Sequence, residues 1–106
     1  MAKYLIRASY TAEGAKGLLK DGGSKRVRAV EEALKPLGAK VESFYFALGE
    51  TDVYVIIDAA DNATVTAVSL AVNAAGAVRS STTALLTPQE MDEAAKKSVP
   101  YTPPGR

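Results

Sequence analysis

Glu50 and Asp52 flank a tight glycine-bearing turn in the stretch ALGETDVYVIID, Ala47 to Asp58. Carboxylates this close can act as acid and base or anchor a ligand, given a suitable separation and a shifted ionisation. The same residue types also set turns, because glycine takes positive φ and aspartate accepts hydrogen bonds from backbone N–H groups. The pattern favours the turn. A second set, Arg7, Arg79, Ser81, Thr83 and Asp58, falls on strand-like segments. An arginine opposite Asp58 makes an interface ion pair, and one free in an apolar pocket binds a carboxylate or a phosphate. Tyr45 and Tyr54 complete the candidate ligand-binding set of Arg7, Tyr45, Tyr54, Asp58 and Arg79. Core and interface packing account for the strand aromatics without a stacked cofactor. The run KDGGSKR, Lys20 to Arg26, is glycine-rich, basic and leads into a helix, a combination that can hold an anion. It lacks the GK[ST] of a phosphate loop and reads as a flexible, charged connection.

What is missing narrows the chemistry further. The 106 residues include no His and no Cys. A histidine-based triad, a zinc site of ordinary composition, a histidine-ligated haem and disulfides are thereby excluded. No metal site, cofactor or catalytic residue is assigned. Thirteen basic and 12 acidic residues leave a net charge of +1, with no electrostatic footprint for nucleic acid or an anionic membrane. The opening MAKYLIRASYT has no long apolar segment or cleavage pattern. The expectation is a soluble cytoplasmic protein, which the lack of cysteine suits.

The elements that must position these residues follow from periodicity. Lys3 to Ser9 alternates and predicts a first strand. Thr11 caps a short helical turn, weakened by Gly14 and Gly17, and DGG breaks it. Ser24 is expected to cap a proper helix with Val27, Val30, Leu34 and Leu37 on its buried face, and Lys25, Arg26 and Arg28 among its solvated residues. Val41 to Leu48 and Asp52 to Asp58 form a hairpin around Gly49. Asp61 or Asn62 opens a second helix that Gly76 closes, and Ala77 to Leu86 is a fourth strand. TPQE, Thr87 to Glu90, is a capping box that starts a third helix. The order β-α-β-β-α-β is the ferredoxin-like arrangement, an α+β fold with a four-stranded antiparallel sheet. Residues 1–95 form the domain and 96–106 a Pro-rich tail.

In such a fold one sheet face meets the helices and the other meets water, yet both faces of the central hairpin carry apolar residues. Phe44, Phe46 and Leu48 alternate with Val41, Ser43, Tyr45 and Ala47, and Val53, Val55 and Ile57 with Tyr54, Ile56 and Asp58. A second apolar face generally marks an interface, and a second copy packed sheet to sheet is the economical solution. The expected partner is therefore the chain itself, as a homodimer or a higher homo-oligomer.

The residues from YTAEGAKGLLK (Tyr10 to Lys20) through LGAKVESFYFALGETDVYVIID and AADNAT to AAGAVRSSTTALLTPQE resemble the GYD domain family, over about nine-tenths of the chain. The resemblance implies a ferredoxin-like domain related to dimeric α/β barrels, in a family that is largely uncharacterised. The family's motif of Gly, a spacer, Tyr and Asp reads here as Gly49, Glu50, Thr51 and Asp52. Thr51 departs from the aromatic position, so a role needing a phenol at the turn is not available there. Tyr54, further along the strand, is the candidate replacement. The function expected is a non-catalytic homo-oligomeric module with a cleft for a small apolar or anionic ligand. The alternatives are a cofactor-independent oxygenase or isomerase of the dimeric barrel group, or a purely structural oligomer.

Overall fold

In the computed structural model, which describes all 106 residues, the chain forms a four-stranded antiparallel sheet with four α-helices. The order is β1 (Ala2–Tyr10), α1 (Ala12–Asp21), α2 (Gly23–Leu34), β2 (Lys40–Phe46), β3 (Val53–Ala59), α3 (Asn62–Ala75), β4 (Val78–Leu85) and α4 (Pro88–Lys96). The strands lie in the order β2-β3-β1-β4, so each half is a crossover around an inserted neighbour, as the ferredoxin-like arrangement requires. No helix is long and apolar enough to cross a membrane.

Local chemistry sets the boundaries. The Thr11 side chain accepts from the Gly14 N–H at 3.2 Å, which lets α1 run unbroken despite its two glycines. Gly22, at φ +79°, separates α1 from α2, a conformation that only glycine takes without strain. The expected Ser24 cap is not formed: α2 begins at Gly23, and its cap residue Gly22 has no side chain to offer. The basic loop expected over Lys20 to Arg26 therefore reduces to one glycine between two helices. Asp61 caps α3 by accepting the Thr64 N–H at 2.9 Å, and Gly76 closes it in the left-handed conformation. Thr87 and Glu90 form the capping box of α4 reciprocally, at 3.0 and 3.1 Å.

Tyr4, Val53, Val55, Ile57 and Ala59 of the sheet pack under Leu34 of α2 and Val65 of α3 to make the core. A bulge shifts the β2 register between Val41 and Ser43. Val41, expected beside Ser43 and Tyr45, thereby joins Phe44 and Phe46 on the helix face, because one extra residue reverses the alternation. Leu48, expected on that face too, lies beyond the end of β2 and is fully exposed.

The chain is elongated, 57 Å along its longest axis with a radius of gyration of 17.0 Å, against about 13 Å for a compact domain of this length. Its accessible surface is 7679 Å², where a compact monomer of this mass shows roughly 5,700 Å². Part of the excess is α4, every residue of which is exposed.

Candidate functional site

The sheet register fixes the open face. Tyr45, Tyr54, Arg7 and Ser81 stand in one row across the four strands, and Ser43, Ile56, Leu5 and Thr83 in the next. The row beyond holds Lys40, Asp58, Lys3 and Leu85, while Arg79 pairs with Ser9 at the opposite end. Arg7, Tyr45 and Tyr54 are thus brought together, and Arg79 is near them. Asp58 is not. It lies four residues from Tyr54 along β3, about 13 Å away.

Neither arginine meets Asp58 within the chain. Lys3 takes it instead, with Nζ 2.6 Å from Asp58 Oδ1 and 2.6 Å from Glu42 Oε1. Hydrogen bonding to Lys3 holds the Asp58 carboxyl below its ordinary value of 3.8, and the two carboxylates raise the Lys3 ammonium above 10.5. Asp58 therefore comes already paired. Lys3 was missed as its partner because strand alternation gives a residue's face but not its cross-strand neighbour; the register Lys3↔Asp58 supplies that.

The GETD turn proves to be a junction. Asp52 Oδ2 accepts the Tyr10 N–H at 2.8 Å, and the Asp52 N–H donates to Ala8 O at 2.9 Å. Ser9 Oγ donates to Glu50 O at 2.8 Å. The Asp52 side chain thus ties the hairpin to the end of β1, while its carbonyl oxygen closes the turn by accepting the Ala47 N–H at 2.7 Å. Gly49 sits at φ +142°, open only to glycine, and the Glu50 side chain is exposed. Tyr54 faces away on the open side of the sheet and pairs with Tyr45, so it does not stand in for a phenol at the turn. Asp52, Tyr10, Leu18 and Phe46 line an open groove of about 430 Å³ at this end of the sheet.

A second concavity lies inside the fold. Helix α2 packs on β2 and α3 on β4, which leaves a cleft over β1 and β3. An internal cavity of about 70 Å³ sits on the sheet floor. It continues into a groove of about 290 Å³ between the helices, where Ala29 and Ala33 of α2 face Ala71 and Ala75 of α3. Six residues line both: Arg26, Val30, Leu34, Val68, Val72 and Val78. No Asp or Glu lines either one.

Two polar groups stand out in this apolar setting. Arg26, assigned above to the solvated face of α2, instead continues the stripe of Val30 and Leu34 at i, i+4 and i+8 and lines the cleft half-buried. Its guanidinium forms no ion pair. Thr82 Oγ1, on the helix face of β4, is buried without a hydrogen-bond partner. Both are legible in hindsight, Arg26 from its helical spacing and Thr82 from its alternation with Val78 and Ser80. The loop reading of Lys20 to Arg26 had hidden the first.

Among known proteins, no curated protein and no solved structure matches the chain significantly. The family model of the GYD domain matches residues 4–95, from the first residues of β1 to the end of α4 and through the Gly49–Asp52 junction. The chain belongs to the GYD domain family.

Proposed function

We propose that this GYD-domain protein is a non-catalytic homodimeric module that holds a small, mostly apolar ligand between its helices and its sheet. The observation that carries the reading is the cleft itself. The lining is of the kind a small-molecule site has, apolar with a few polar groups: 12 of the 16 residues lining the inner cavity are hydrophobic, and the adjoining groove of about 290 Å³ is of the size of the smallest such sites. An enzymatic role of the oxygenase or isomerase type gains no support from a lining without a carboxylate.

The dimer forms through the open face. Leu5 and Ile56 are half-buried at its centre, Tyr54 and Tyr45 are 41% and 70% exposed, and charges sit toward both ends. An apolar centre with a charged border suits a second copy packed sheet to sheet, the dimeric barrel assembly. In that dimer Arg7, Tyr45 and Tyr54 lie between the sheets. The absence of cysteine supports a cytoplasmic setting.

Native mass spectrometry of freshly purified protein tests both parts. The expected result is a dimer carrying a small-molecule mass increment. A monomer overturns the dimer, and a mass free of any increment, with none regained on incubation with a cell extract, overturns the binding role.

A further inference from the structure

We infer that the cleft ligand is a small monocarboxylic acid with an apolar body, its carboxylate held by Arg26 and its far end reaching Thr82. This rests on the binding reading above and names the ligand class of that site.

The two unpartnered polar groups mark the ends of one channel. Arg26 lines the cleft beside Tyr10 and Val78, and Thr82 lines it beside Ser69. Val78 and Thr82 are four residues apart on β4, about 13 Å at the usual strand rise. Between them the walls are Val30, Val68 and Val72. A guanidinium presents a planar fork that matches a carboxylate with two parallel hydrogen bonds, and it gains most where water is partly excluded.

The number of charges selects the anion. Arg26 is the only cationic residue lining the cavity or the groove, so a monoanion is neutralised and a dianion is not. Glu13 and Asp21 share the recess behind Arg26; Asp21 is engaged by Lys25 at 3.4 Å, and their negative field disfavours phosphate further. At the other end a buried hydroxyl without a partner is a cost the fold carries. A ligand carbonyl or hydroxyl, or a water that follows the ligand in, relieves it.

The probes are octanoate, octanol and inorganic phosphate, titrated into the full-length protein by calorimetry and by ligand-detected NMR. Octanoate is expected to bind at least about tenfold more tightly than octanol, since a charge-assisted bidentate contact contributes about that factor or more, and phosphate is expected not to compete. Arg26→Gln removes the difference between octanoate and octanol and leaves octanol unchanged. Val72→Phe fills the cleft and abolishes both; Ala33→Phe, on the outer wall, serves if the first variant does not fold. Thr82→Val raises the melting temperature of the ligand-free protein while keeping octanoate binding. Equal binding of octanoate and octanol, competition by phosphate, an Arg26→Gln variant that binds octanoate like wild type, or no binding of any probe overturns the ligand class. A co-purified ligand that lacks a carboxylate overturns it too, and leaves the binding module standing.

Discussion

Gly14 and Gly17 lie one turn apart on α1, and the same substitution at each is expected to have opposite effects. At Gly14 an added Cβ would sit 1.9 Å from the Ala77 carbonyl oxygen, 2.8 Å from its carbon and 3.0 Å from a Tyr10 ring carbon. The close oxygen is backbone, so relief requires α1 and the α3–β4 connection to separate by roughly 1.5 Å, to reach an ordinary contact of about 3.5 Å. The bonds holding them together are Thr11 N–H to Ala77 O at 3.0 Å, and Thr11 Oγ1 to Gly76 O at 2.9 Å and Ala77 O at 3.2 Å. Losing two or three of these costs about 2–3 kcal/mol at a net value near 1 kcal/mol each. Alanine's better helix propensity returns up to about 1 kcal/mol. Gly14→Ala is therefore destabilising by about 2 kcal/mol, which lowers the melting temperature of a domain this size by roughly 10 °C. Nothing lies within 4 Å of a Cβ at Gly17, so Gly17→Ala keeps only the propensity gain and melts about 4 °C higher. Thermal melts by circular dichroism at matched concentration read both. A Gly14→Ala protein as stable as wild type, or a Gly17→Ala protein that melts lower, refutes the reasoning.

Three further outcomes follow from the same geometry. Asp52→Ala leaves the Tyr10 N–H, which it accepts at 2.8 Å, without its partner and costs about 1–2 kcal/mol in urea denaturation; a variant that keeps wild-type stability sinks the structural reading of the GETD turn. Asp58 and Asp61 are both held below 3.8, Asp58 by Lys3 and Asp61 by the Thr64 N–H, so their contributions are complete above that value and fade as pH falls through the lower folded values. Lys3 is raised above 10.5, and its share is present below that pH and fades as pH rises beyond it. Urea midpoints between pH 6 and 3 should therefore decline in acid, and less steeply for Asp58→Asn; an identical slope in that variant removes Asp58 from the account. Truncation after Thr87 deletes only residues that the domain leaves almost wholly exposed, so dilute protein should melt within about 4 °C of full length. A larger fall in a concentration-dependent melt would show that α4 is covered by a second copy.

The framework of the fold was readable because it rests on local rules. The alternation of β1 and β3, the Asp61 and Thr87 caps and Gly76 all work through neighbours within a few residues, and the structure places them as their spacing predicts. What escaped was decided by pairing across the chain. The bulge between Val41 and Ser43 turned one side chain to the other face, and no residue type announces it. Asp52 looked like a turn residue and is one, but its side chain is spent on Tyr10, 42 positions away. Asp58 looked free for a ligand until the register set Lys3 opposite it. Arg26 shows the reverse error. Grouped with its charged neighbours it read as solvated surface, although its spacing from Val30 and Leu34 already placed it on the apolar stripe. A charge on the buried stripe of a helix has to be accounted for by a partner, and within this chain Arg26 has none. On the open face, Lys3 already engages both Asp58 and Glu42. Arg26 faces a cleft lining without a carboxylate, and Glu13 and Asp21 lie behind it. It makes no ion pair with either, so its planar fork is open to an acceptor that enters the cleft.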